Sequence, residues 1–140
     1  PILKNVPTYQ CREAEQLDYV LANLEKLVVK EAQGSGGYGM LVGPQSSEQQ
    51  IALFRSKLIE TPQNYIAQPT LDLSVSPTLT QSGIGERHID LRPFVLSAPD
   101  RTEIVPGGLT RVAMKQGSLV VNSSQGGGIK DTWFIYPLHA

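Results

Sequence analysis

The spacing of apolar residues changes once along this chain, near Pro69, and that change limits the folds open to it. Before it, Leu17, Val20, Leu21, Leu24 and Leu27 recur at helical intervals between polar residues, which predicts an amphipathic helix from Glu13 to Leu27. The β-branched stretch Leu27-Val28-Val29-Lys30 reads as a buried strand, and Met40-Leu41-Val42 as another, closed by Gly43 and Pro44. Ser46 and Ser47, followed by Gln49 and Gln50, read as a capping box that opens a second helix carrying Ile51, Phe54, Leu58 and Ile59, with Thr61-Pro62 as its stop. Tyr65 to Gln68 is then a strand halted by Pro69. Beyond Pro69 the period is mostly two, which predicts strands over 88–97, 103–105, 109–115, 118–122 and 129–136, with a hairpin turn at Gln116-Gly117. The fold class is therefore α+β. A helix-strand-glycine loop-strand-helix unit over 1–70 precedes a mainly antiparallel β-sheet over 71–140.

At 140 residues the chain has the size of one ordinary domain. It can bury roughly two-thirds of its unfolded surface and needs no covalent staples. Its net charge is -1 and its Lys and Arg are scattered, which argues against a broad electrostatic footprint for nucleic acid or an anionic membrane. No run approaches the about 18 apolar residues of a membrane span. The single Cys11 has no internal partner, so a reducing, cytoplasmic setting is expected. His88 and His139 are too few and too isolated to suggest a metal site, and no G-x-S-x-G elbow is present. The first residue is Pro1 and no leader follows it, so the chain reads as a piece of something longer.

Gly34-Ser35-Gly36-Gly37-Tyr38-Gly39 places four glycines in six positions between two apolar runs. It satisfies G-x-G-x-x-G, but the segment after it is too short and too β-like to open the helix that a dinucleotide fingerprint requires. A Walker loop is also missing. A glycine loop joining two strands can turn consecutive N–H groups inward as an anion nest, as kinases do over nucleotide phosphates. Ser35 adds a hydroxyl, and Lys30 at the end of the incoming strand adds a point charge. The residues alone fit equally a phosphate loop and a solvent-exposed hairpin.

Further on, alternation along a strand puts Asp90 and Arg92 on one face, either as a wet ion pair or as part of a site. Arg111 follows the tight Pro106-Gly107-Gly108 segment. A second glycine-rich loop, Gly126-Gly127-Gly128, is flanked by Asn122, Lys130 and Asp131. Two such loops with Lys30, Arg92 and Arg111 make up the inventory that a polyphosphate site needs.

Taken in order, Asn5-Val6-Pro7-Thr8-Tyr9, Leu27 to Lys30 with Gly34 to Gly39, Tyr65-Ile66-Ala67-Gln68-Pro69, Asp90-Leu91-Arg92-Pro93-Phe94, Pro106 to Arg111 and Asn122 to Gly128 closely resemble the C-terminal part of circularly permuted ATP-grasp proteins of type 2, which are similar to glutathionylspermidine synthetases. The resemblance implies an ATP-grasp fold that activates a carboxylate as an acyl phosphate for attack by an amine, with ATP and Mg2+ as cofactors. On that model Lys30 binds phosphates. Gly34, Ser35, Gly36, Gly37 and Gly39 form a lid over them, and Gln68 lies at the adenine hinge. Arg92 and Arg111 would be the catalytic cations, and Asn122 would face the phosphates or the acceptor. Part of the magnesium set is expected upstream, which leaves Asp90, Asn122 and Asp131 as local candidates. The resemblance thus implies one partial ATP-grasp domain whose partners are ATP, a small carboxylate or amine and the remainder of the parent chain. A noncatalytic module of the same fold, binding an anion or a protein, is the alternative.

Overall fold

Two residues of β1, Tyr9–Gln10, lead into helix α1, Ala14–Ala22. The helix is shorter than its apolar spacing predicts. Asn23 ends it: its backbone N–H donates to Val20 O, and its side-chain amide donates to Tyr19 O at 2.9 Å, so the amide replaces the next helical bond. A single 3-10 turn, Leu24–Lys26, still buries Leu24, and strand β2 runs over Leu27–Glu31. β3 is Leu41–Val42. Helix α2, Glu48–Glu60, opens on the expected capping box: Ser47 Oγ accepts from Gln50 N–H, and Gln50 Oε1 accepts from Ser47 N–H. Phe54 and Leu58 are buried along it, whereas Ile59 falls off that stripe and is exposed. β4 is Tyr65–Pro69.

This computed structural model describes residues 4–34, 38–122 and 126–135. Among them are two α-helices and two four-stranded antiparallel sheets, and the chain divides into compact units over 1–71 and 72–140. No helix among the described residues is long and apolar enough to cross a membrane.

In the first unit the sheet order is β1-β4-β2-β3. Its inward face carries Leu27, Val29, Leu41, Tyr65 and Ala67, which pack with Cys11, Val20, Leu24, Phe54 and Leu58 into one core. Its outward face carries Val28, Lys30, Val42, Ile66 and Gln68, all half-buried.

The second unit is a meander of β5 Val75–Thr80, β6 Gly83–Ser97, β7 Thr102–Val112 and β8 Gly128–Lys130. Its strands differ from the predicted ones at several points. β5, absent from the strands that the spacing predicts, contains Pro77 and lies at the sheet edge, where a missing donor is tolerated. The expected strands at 103–105 and 109–115 are one strand that passes through Pro106-Gly107-Gly108. The register shifts between Pro93 and Val95 on the facing strand, so the irregularity is absorbed without a break. Gln116-Gly117 does turn, with Ser118 N–H donating to Lys115 O at 3.2 Å, but it joins no hairpin strands. Residues Thr110 to Val112 pair with β8 instead, so 118–122 has no ladder to join. The strand expected at 129–136 ends at Lys130; 131–135 lie outside the sheet, and Tyr136 is outside the described residues.

Gly43 holds the first unit's turns together. A Cβ there would sit 2.1 Å from Leu24 O and 2.7 Å from the Glu25 carbonyl carbon, so only glycine lets the backbones touch. Gly43→Ala is expected to cost about 2 kcal/mol or more by forcing those backbones apart. Gly107→Ala, with nothing within 4 Å of the added carbon, stays within about 0.5 kcal/mol. Urea unfolding midpoints compare the two.

Candidate functional site

On the outward face of the first sheet the β2–β4 register sets Val28 opposite Gln68 and Lys30 opposite Ile66. Lys30 and Gln68 are thus diagonal neighbours, and Lys30 Nζ donates to Gln68 Oε1 at 2.8 Å. An ammonium can only donate, so this bond fixes the amide orientation. Gln68 Nε2 then donates to Thr8 Oγ1 at 2.8 Å, and Thr8 donates to Val6 O at 3.1 Å. The chain of donors runs one way from the lysine to the backbone beside β1. The sequence around Thr8 carries no sign of this role; only the fold brings it to Gln68, 60 residues away. Val28, Val42 and Ile66 frame the lysine with apolar surface.

The first glycine loop leaves this face from the end of β2. Gly34 N–H donates to Glu31 O at 3.1 Å, and Gly39 has φ +66. Both lie against the Glu31 side chain: an added Cβ would come within 3.0 Å of Glu31 Cβ at Gly34 and 3.5 Å of Oε1 at Gly39. Ser35, Gly36 and Gly37 lie outside the described residues.

In the second unit, β6 and β7 bring Asp90 opposite Arg111. Arg92 donates to Asp90 Oδ2 from Nε at 2.9 Å and holds the same oxygen from Nη2 at 2.8 Å. Arg111 Nη1 donates to Asn122 Oδ1 at 2.8 Å. Asp90 Oδ1 and Arg111 Nε are buried and have no hydrogen-bond partner. Asp90, Arg92, Arg111 and Asn122 therefore form one polar cluster within this unit. Gly127 N–H donates to Asn122 O at 3.0 Å and closes the second glycine loop onto the same asparagine. Asp131 is exposed beyond β8. His88 Nδ1 lies 2.9 Å from Leu73 O, a contact that holds two backbone segments together. Among the described residues no group of three or more His, Cys, Asp or Glu is placed to hold a metal ion.

Residues 1–113 match the family described as circularly permuted ATP-grasp type 2. The chain belongs to that family. It is 56% identical to an uncharacterized protein of Synechocystis sp. over 96% of this chain and 28% of that protein. It is also 44% identical to an uncharacterized protein of Mycobacterium bovis over 98% of this chain and 25% of that protein. A protein of Frankia alni named "Putative glutamate--cysteine ligase 2-3" is 45% identical over 95% of this chain and 15% of its own length. The permuted ATP-grasp chain thus spans 28% and 25% of the first two of these relatives.

The one thiol of this permuted ATP-grasp segment takes no part in either cluster. Cys11 is fully buried in the first unit's core, and burial raises its pKa above the ordinary 9.0, so it is a protonated packing group. Tyr65 is raised too, first by burial and then by the charges of Glu31 and Glu60. For both groups the folded state holds its proton more tightly than the unfolded state does. Their contribution is therefore complete below the unfolded values and is lost as pH rises through the raised folded ones. The urea midpoint is expected to fall above about pH 9, less steeply in Cys11→Ala than in the parent. A thiol reagent at neutral pH should label Cys11 only after urea unfolds the chain.

Proposed function

We propose that this chain is the nucleotide-binding portion of an ATP-dependent carboxylate–amine ligase that works through an acyl phosphate. The observation that carries the reading is Lys30, a cation bonded to the Gln68 side-chain amide on a half-buried apolar sheet face where the glycine loop departs. Val28, Val42 and Ile66 offer the flat apolar surface that suits a purine, with Gln68 as the polar group at its edge. ATP fits this donor set. Bound there, it would supply the phosphoryl group. Lys30 pairs with the phosphates as a point charge, and Gly34, Ser35, Gly36, Gly37 and Gly39 close N–H groups over them.

Arg92 and Arg111 take the charge that develops on the transferring phosphoryl group, and Asn122 orients the same oxygens. A substrate carboxylate oxygen attacks the γ-phosphorus and ADP leaves; an amine then attacks the acyl carbon, phosphate leaves and the amine loses its proton. Mg2+ does not fit the described residues as a self-contained site, because Asp90 is committed to Arg92 and no three-carboxylate or histidine group is present among them. In this reading residues 1–140 form one partial ATP-grasp domain, made of units over 1–70 and 71–140, and the remainder of a longer polypeptide completes it. The greater length of the relatives supports that view.

Two measurements on the full-length protein test the reading. Lys30→Ala should weaken ATP binding by about 1.5–3 kcal/mol, the scale of a hydrogen bond to a charged group, with the thermal midpoint little changed. Unchanged affinity in a calorimetric titration would return Lys30 to the role of a solvated surface cation. Amide exchange across 34–39 should slow when ATP saturates the protein, and equal rates with and without it would remove the lid. ADP formation that requires both a carboxylate and an amine would separate the ligase from a noncatalytic anion- or protein-binding module.

A further inference from the structure

The polar cluster of the second unit is paired in a way that leaves two of its groups unmet. Arg92 spends two N–H groups on one oxygen of Asp90, while the other oxygen, Oδ1, is buried and bonded to nothing. Directly across the ladder, Arg111 has its Nε–H in the same condition while Nη1 is held by Asn122. Buried polar groups are nearly always satisfied, so an unpaired acceptor and an unpaired donor on facing residues need an explanation. Cross-strand partners in an antiparallel pair stand roughly 5 Å apart at their backbones, within reach of a carboxylate that changes rotamer. The complementary arrangement puts Asp90 on Arg111 Nε and leaves Arg92 open. It satisfies both orphaned atoms, and its cost is one uncovered guanidinium.

We infer that Asp90 is a stand-in anion: it occupies Arg92 until an oxyanion of the substrate takes its place, and it then swings across to Arg111 Nε. The cluster holds two guanidiniums against one carboxylate, so an arriving phosphoryl or carboxylate group finds a cationic site and need not compete with Asp90 after the exchange. Asp90 is thereby a positioning residue and not a metal ligand. The exchange also sets the order of events, because Arg92 faces the reacting group only once that group has arrived. The identity of the oxyanion rests on the ligase reading; the exchange itself does not.

Inorganic phosphate, titrated calorimetrically into the full-length protein in EDTA, tests this. Asp90→Asn keeps the shape and removes the competing charge, so phosphate should bind about tenfold tighter than to the parent. Asp90→Ala should show the same direction, and Arg92→Lys should lose most of the binding. In nitrogen-15 spectra of arginine side chains, phosphate should shift the Arg111 Nε–H signal and slow its exchange in the parent but not in Asp90→Asn. Phosphate affinity equal to or weaker than the parent's in both Asp90 variants overturns the inference. So does an Arg111 Nε–H signal that phosphate leaves unmoved, or an Asp90→Asn effect that appears only when magnesium is added. A failure of Lys30→Ala to alter ATP binding would count against the nucleotide reading alone and leave these outcomes to be judged separately.

Discussion

The antiparallel pairing of β2 with β4 is the constraint on which the first unit depends. Five residue pairs, from Leu27–Pro69 to Glu31–Tyr65, lock two strands that lie far apart in sequence. The alternation of that ladder divides its side chains between two tasks. Leu27, Val29, Tyr65 and Ala67 turn inward to meet both helices, and Val28, Lys30, Ile66 and Gln68 turn outward to form the candidate face. A slip by one residue would bury Lys30 and expose Val29, so the core enforces the position of the lysine.

The second unit is organised differently. Among the described residues its buried members are few: Thr78, Thr110, Val112, Ala113 and Val121, with Leu79, Ile84 and Ile129 largely exposed. Ladder hydrogen bonds and the polar cluster supply much of its order. Lys130 Nζ on β8 donates to Pro77 O on β5, a contact between the two edge strands, and Thr110 on β7 bonds Thr132 just past β8. A charged group in this sheet therefore contributes to cohesion, whereas in the first unit the helical core carries the cohesion and the outer face with Lys30 and Gln68 does not share that task.

The sequence was most legible where one local rule acted alone. The capping box at Ser47, the α2 stripe and the strands around Lys30 and Gln68 follow from patterns a few residues long. It was least legible where a partner strand decided the outcome. Pro77 and Pro106-Gly107-Gly108 look like breaks until an edge position or a facing bulge accommodates them, and nothing near 118–122 indicates that β8 claims the neighbouring edge. The same holds for the candidate residues. That Asp90 and Arg92 share a face is visible in their spacing, but the approach of Thr8 to Gln68 and of Asn122 to Arg111 depends on long-range register.

The shift between Pro93 and Val95 has a mechanical side. Pro93 and Pro106 both lack an amide hydrogen, so two donors are missing from the β6–β7 ladder next to Arg92. The hairpin is thus two girders joined at a soft seam: pairs from Ile89 to Pro93 on one side, and pairs from Val95 to Ser97 on the other. Asp90 and Arg111 lie on the near side of that seam, so the ladder that aligns them does not depend on the pairs beyond it.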